Sequence, residues 1–222
     1  MPVSNPPSPI FVLFDLDGVL LDTEGLYTQA TQAIVGRYGK TYDWSLKRHL
    51  LGRDALLGAS NLMERLQIPL TGEEYLALQR PILEELFRSS PAMPGAETFV
   101  RELAAEGAAM AVATSTERKF YDLKVLPHEW FSLFHAVVCG DDPNVGARKP
   151  APDIFLAAAR KLGAEPRQCI VIEDSPAGVQ AGIAAGMRVI AMPHPAIGAE
   201  ACDGAYRIVS GWSEISASDL AP

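Results

Sequence analysis

The chain has 222 residues, of which 48% are hydrophobic, and a formal net charge of −8. That length holds one domain of average size with a modest insertion, and that apolar share builds a sizeable core rather than a disordered chain. The acidic balance with scattered Lys and Arg argues against a nucleic-acid polymer or an anionic membrane as partner, no run approaches the roughly 18 apolar residues of a membrane span, and three cysteines without a CxxC pair argue against a disulfide framework or zinc site and fit a reducing cytoplasm.

Residues 1–9 (MPVSNPPSP) lack the charged start and long apolar run of a signal peptide, and their prolines predict a short disordered tail. Residues 10–14 (IFVLF) form a continuous apolar run, the pattern of a strand buried on both faces. From about 23 to 90 the periodicity is helical. Leu26, Ala30, Ala33, Ile34 and Arg37 fit one helix, Leu56, Ala59, Leu62 and Leu66 a second, and Leu76, Leu83, Leu86 and Phe87 a third. Pro91 and Pro94-Gly95 punctuate the return to an alternating pattern. Strands are predicted at 110–113, 136–139, 170–172 and 188–192, with helices at 96–105, 153–162 and 176–185 between them. Alternation of this kind implies βαβ units and a parallel sheet. The predicted fold is therefore a Rossmann-like α/β core, residues 10–22 and 92–222, carrying an inserted all-helical cap, residues 23–91. Ligands of open α/β sheets bind at the carboxyl ends of the strands. The insertion leaves the core there, so it is expected to lie over the site.

Four segments carry candidate chemistry. Asp15 and Asp17 follow the first strand within Asp15-Leu16-Asp17-Gly18-Val19 and point to one side of an extended segment. Such a pair can share a hard cation, or divide into a nucleophile and a general acid/base; the same residues also build plain acidic turns. Glu173 and Asp174 follow the strand at 170–172 and precede a helix, where a cation would relieve their desolvation and where Asp174 or Ser175 also serves as a cap. Thr114 and Ser115 close the strand at 110–113, where hydroxyls and amides suit phosphate oxygens and equally suit a helix start. Lys149 sits among prolines in RKPAPDIF, which stiffen its loop and aim the ammonium. Each segment lies at the carboxyl end of a predicted strand.

In order and spacing, DLDGVLLDTE, AVATST, RKPAPDIF and VIEDSPAGV resemble the four motifs of the haloacid-dehalogenase-like hydrolase superfamily, from residue 10 to about 192. Within it the chain looks like the β-phosphoglucomutase-like group with a small helical cap. GRYGKTYDW, MPGAE, WFSLF and GDDP resemble the pseudouridine-5′-phosphatases and their sugar-phosphatase relatives. The resemblance implies a Mg²⁺-dependent phosphomonoester hydrolase working through an aspartyl-phosphate. Asp15 would be the nucleophile. Asp17 would be the general acid/base and ligate Mg²⁺ through its carbonyl. Asp174, with Glu173, would complete the metal site. Thr114 and the Ser115 amide would bind the phosphoryl group, and Lys149 would neutralise its charge.

Tyr27 stands where the group's mutases place a histidine, which argues for hydrolysis over the alternative of a phosphosugar mutase. Asp17 counts against haloalkanoate dehalogenation, and the intact motifs count against a silent binding module. The core motifs handle only phosphate, so Glu24, Tyr27, Gly52 and Arg53 of the cap are expected to choose the substrate. The expected partner is a small phosphate ester, either a nucleoside monophosphate such as pseudouridine 5′-phosphate or a sugar or polyol phosphate. The expected state is a cytoplasmic monomer. His49, His128, His135 and His194 belong to no ligand-like cluster.

Overall fold

The computed structural model describes residues 10–47 and 55–220. Six parallel strands form one sheet in the order β3-β2-β1-β4-β5-β6: β1 (Phe11–Phe14), β2 (Ala109–Ala113), β3 (Ala136–Val138), β4 (Cys169–Glu173), β5 (Arg188–Ala191) and β6 (Arg207–Ile208). The predicted parallel α/β sheet is what forms. β6 is too short, at two residues, to leave a pattern in the sequence. Alternate strand residues face opposite layers, as a pleat requires. Val12, Phe14, Met110, Val112, Ile170 and Ile172 join one core. Leu13, Ala111, Ala113, Val171 and Val189 join the other. Helix α5 (Ala96–Ala105) covers the first face; α7 (Asp153–Leu162) and α8 (Pro176–Ala184) cover the second.

Between Thr23 and Ser90 the described residues hold helices and no strand: α1 (Glu24–Val35), α2 (Trp44–Lys47), α3 (Ala55–Leu66) and α4 (Gly72–Leu86), the last started by a Thr71–Glu74 capping box. Ile34, Val35, Ala59, Leu62, Met63, Ile68 and Tyr75 give them a core of their own. Leu56, expected on the buried stripe of α3, is instead exposed. The outgoing and returning chains run side by side, with the Asp22 amide donating to the Pro91 carbonyl and the Met93 amide to the Leu20 carbonyl, both at 2.9 Å.

The helical layer meets the sheet layer on α6 (Arg118–Val125). Phe87 packs edge-on against Phe120, centroids 5.4 Å apart. At the rim Arg80 pairs with Glu117 at 3.0 Å and Lys119 with Glu84 at 2.5 Å. A last helix, α9 (Ala217–Leu220), ends the described chain. Among the described residues no helix is long and apolar enough to cross a membrane. The proline-rich segment 1–9 and the Gly52-Arg53-Asp54 stretch lie outside the described residues.

Candidate active site

The register of the sheet builds the site. Phe14 stands opposite Ile172 across β1 and β4, and the ladder continues as the Asp15 amide donates to the Ile172 carbonyl at 3.0 Å. The next residues along, Asp15 and Glu173, are therefore neighbours at the carboxyl edge, between the strands where the chain order reverses. Lys149 reaches them from the loop before α7, across a cis Lys149–Pro150 peptide. Its Nζ donates to Asp15 Oδ1 at 2.5 Å, Glu173 Oε1 at 2.6 Å and the Ala113 carbonyl at 3.2 Å.

Asp174 completes a cluster: one carboxylate oxygen each from Asp15, Glu173 and Asp174 lie within 4.8 Å of one another. Two glycines make room for it. A Cβ on Gly18, which has φ +81°, would fall 2.3 Å from Asp174 Oδ2, and one on Gly178 would fall 1.7 Å from Glu173 Oε1. Glu173 Oε2 accepts from the Ser175 amide at 2.7 Å and hydroxyl at 2.9 Å, so both its oxygens are already engaged. Ser175 also caps α8 by accepting from the Gly178 amide at 3.1 Å.

Asp17 points elsewhere. Its carboxylate stands outside the cluster, and a buried set of donors that sequence reasoning did not single out holds it. Lys124 Nζ donates to Oδ1 at 2.6 Å, the Thr23 hydroxyl donates to the same oxygen, and the Thr116 hydroxyl donates to Oδ2 at 2.7 Å. A signal existed for Lys124. Phe120, Tyr121 and Lys124 fall at helical spacing on one stripe of α6, so the lysine occupies a buried position of an amphipathic helix. Thr23 and Thr116 carry no comparable mark.

Environment separates the two aspartates. Burial raises the Asp15 carboxyl to about 7; Lys149 pulls against that, while Glu173 and Asp17 add to it. Burial, with Glu173 and Asp15 nearby, also lifts Asp174 well above the usual carboxylate range. Burial pushes Asp17 the same way, but the Lys124 charge and the hydrogen bonds from Lys124, Thr23 and Thr116 outweigh it and hold Asp17 low. Lys149 is held above its ordinary value, its own desolvation being overcome by Asp15 and Glu173.

Thr114 is buried at the end of β2 and accepts from the Thr116 amide at 3.1 Å; Ser115 beside it is exposed. Both line a cleft of about 1340 Å³ between the sheet edge and the helical layer, as do Asp15, Asp17, Lys149, Glu173 and Asp174. Glu24 and Tyr27 of α1 line the other side. Glu24 pairs with Lys47 at 2.6 Å, and the Tyr27 hydroxyl accepts from Lys124 at 3.3 Å. Gly52 and Arg53, also expected here, lie outside the described residues. Among the described residues no histidine joins the acidic cluster.

The sequence profile of the family described as "haloacid dehalogenase-like hydrolase" matches residues 11–186. The Arabidopsis thaliana protein named "(DL)-glycerol-3-phosphatase 1, mitochondrial" is 42% identical over 205 residues, 90% of this chain and 69% of that protein. A Drosophila melanogaster protein named "Probable pseudouridine-5'-phosphatase" is 42% identical over 206 residues, 91% of this chain and 89% of that protein. Among solved structures, CbbY from Rhodobacter sphaeroides in complex with phosphate superposes with a TM-score of 0.78 at 26% identity, over 96% of this chain and 99% of that one.

Proposed function

The chain belongs to the haloacid dehalogenase-like hydrolase family and is one of its phosphatases, and on that footing we propose that it hydrolyses a small phosphomonoester through an aspartyl-phosphate on Asp15. The observation that carries this reading is Lys149 held between Asp15 and Glu173 on the floor of the cleft. An anionic nucleophile must approach an anionic phosphate. Like charges about 4 Å apart repel by about 4 kcal/mol per pair at an effective dielectric of 20, so a fixed cation at the point of attack is what the chemistry needs.

The acidic cluster fits Mg²⁺. Its donors are all carboxylate oxygens, and burial drives Asp15 and Asp174 towards protonation, an imbalance that a hard divalent ion relieves. Asp15, Asp174 and the Asp17 carbonyl would hold the ion, while Glu173 would face it and anchor Lys149. Bound there, Mg²⁺ would act as a Lewis acid on the phosphoryl oxygens.

In the proposed reaction an Asp15 oxygen attacks phosphorus, and the bond to the leaving oxygen breaks. Asp17 must first take up a proton, against the hold of Lys124, Thr23 and Thr116 on its carboxylate, and it delivers that proton to the leaving oxygen. Asp17 then takes a proton from water, whose oxygen attacks the phosphorus of the aspartyl-phosphate, freeing phosphate and Asp15. Thr114 and the Ser115 amide hold the phosphoryl group throughout. The group's mutases place a histidine where this chain has Tyr27, whose hydroxyl accepts from Lys124 instead.

Selection among leaving groups falls to the helices over the site, through Glu24, Tyr27, Gly52 and Arg53 of a cap spanning 23–91. The substrate is a nucleoside monophosphate, such as pseudouridine 5′-phosphate, or a polyol or sugar phosphate. The net charge of −8 and the scattered basic residues support a protein that leaves nucleic-acid polymers and membranes alone. The cysteine content supports work in a reducing compartment such as the cytoplasm, and the proposed state is a monomer.

A panel of nucleoside monophosphates, glycerol 3-phosphate, sugar phosphates, a phosphopeptide and a 5′-phosphorylated oligonucleotide tests the reading. Only the small esters turn over. Tyr27→Phe and Arg53→Ala shift the relative kcat/KM among them by about 10-fold, the scale of one altered pocket contact. A phosphopeptide as best substrate would refute the proposal; an unchanged ranking in both variants would clear these cap residues of any part in specificity.

A further inference from the structure

We propose that Lys124 is a positioning residue for proton transfer at Asp17, tying that carboxylate to the first helix of the cap. The inference rests on the role of Asp17 given above and adds to it a residue that lies outside the acidic cluster of Asp15, Glu173 and Asp174.

Lys124 has 0% exposure, and a lysine so placed needs a reason, because an ammonium taken out of water costs several kcal/mol unless it is paired. Its three N–H bonds find three acceptors on three separate segments: Asp17 Oδ1 at 2.6 Å, the Thr116 hydroxyl at 3.1 Å and the Tyr27 hydroxyl at 3.3 Å. The apolar sides of the pocket are rings from the helical layer, Phe87 at 4.3 Å and Tyr27 at 5.2 Å from Nζ. The charge is thus saturated, immobile and directed at one carboxylate.

For Asp17 the result is a fixed orientation. Oδ1 is held by Lys124 and Thr23, Oδ2 by Thr116. Thr23 is the residue before α1, and Tyr27 lies one turn into it. Two of the supports that aim the carboxylate, Thr23 directly and Tyr27 through Lys124, therefore move with α1. A carboxylate that must reach a leaving oxygen loses about 10²-fold in rate for a 1 Å misplacement. Removing Lys124 leaves Asp17 held by the Thr23 and Thr116 hydroxyls alone among the described donors, loosening its aim while leaving Asp15, Lys149, Glu173 and Asp174 in place.

The test uses aryl phosphates from p-nitrophenyl, whose leaving group departs without a proton, to unsubstituted phenyl, whose leaving group wants one. It compares kcat/KM of the wild type, Lys124→Met and Asp17→Asn, the methionine keeping the buried volume. Lys124→Met loses less than about 3-fold on p-nitrophenyl phosphate and about 10- to 100-fold on phenyl phosphate, following Asp17→Asn in the same sense. Its half-saturating Mg²⁺ concentration stays within about 2-fold of wild type, since the clustered carboxylates are untouched. If the methionine variant does not fold, Lys124→Gln, which still donates to Asp17, shows the same selective loss in smaller measure. A loss equal across the series in the Lys124 variant that folds, with Asp17→Asn still selective, makes Lys124 a packing residue and overturns the inference alone. A loss equal across the series in Asp17→Asn overturns the proton-transfer role of Asp17 itself, and the inference with it.

Discussion

Asp15→Asn lowers turnover by at least about 10⁴-fold, the scale seen when the nucleophile of a covalent mechanism is removed, and leaves the fold intact. The amide keeps an oxygen for Lys149 but is too weak a nucleophile to take the phosphoryl group. Stability moves the other way from activity. In metal-free protein Asp15 shares a buried corner with Glu173 and Asp174, and its carboxyl is already driven up to about 7. Replacing it removes a charge the site holds at a cost, while Lys149 retains Glu173. Thermal unfolding in EDTA therefore finds Asp15→Asn at or above the wild-type midpoint, and mass spectrometry of quenched reactions finds the phosphorylated adduct only in the wild type. Residual turnover within 10²-fold of wild type would remove Asp15 from the nucleophile's role.

Chelation is the second large effect. Excess EDTA reduces activity on p-nitrophenyl phosphate by at least about 10³-fold, and Mg²⁺ restores it, because the donors gathered around Asp15 are hard oxygens. The same ion stabilises the fold. A ligand present at 100 times its dissociation constant and bound only by the native state adds about 2.7 kcal/mol, so the unfolding midpoint rises with Mg²⁺. In Asp15→Asn the rise is smaller, one ligand having lost its charge. Full activity in excess EDTA, or a midpoint indifferent to Mg²⁺, would reject the metal assignment.

The sheet was legible in the sequence because buried parallel strands read as short apolar runs. The strands FVLF and CIVIE differ from the predicted limits, 10–14 and 170–172, by one residue at each affected end. Asp15, Glu173 and Asp174 come together because their segments end the neighbouring strands β1 and β4, and strand ends can be recognised before the sheet order is known; Lys149 reaches them from the loop between β3 and α7. The surroundings of Asp17 were harder to read. Its partners Thr23, Thr116 and Lys124 are 6, 99 and 107 residues away along the chain, and only packing brings them together. Lys124 stands in RKFYDLKV beside two other basic residues, and nothing but its place on the stripe of Phe120 and Tyr121 sets it apart from Arg118 and Lys119, which are exposed. The opposite failure occurs in α3, where Leu56 fits the apolar periodicity and faces outward.

Trp212 gives the cleft a natural optical probe. Its indole packs 4.8 Å from Phe99 and 6.1 Å from Phe14, with its Cβ 3.4 Å from where a side chain on Gly95 would begin, and it lines the same cavity as Asp15. Trp130 is buried apart from the cleft lining, among Phe131, Phe134 and His128. Indole emission follows local polarity and quenching, so in a Trp44→Phe background, which removes the third tryptophan, filling the cleft perturbs Trp212 and leaves Trp130 as an internal reference. In the Asp15→Asn protein, which binds without turning over, a titration read by tryptophan fluorescence would rank candidate esters by affinity alone, with no label and no coupled assay.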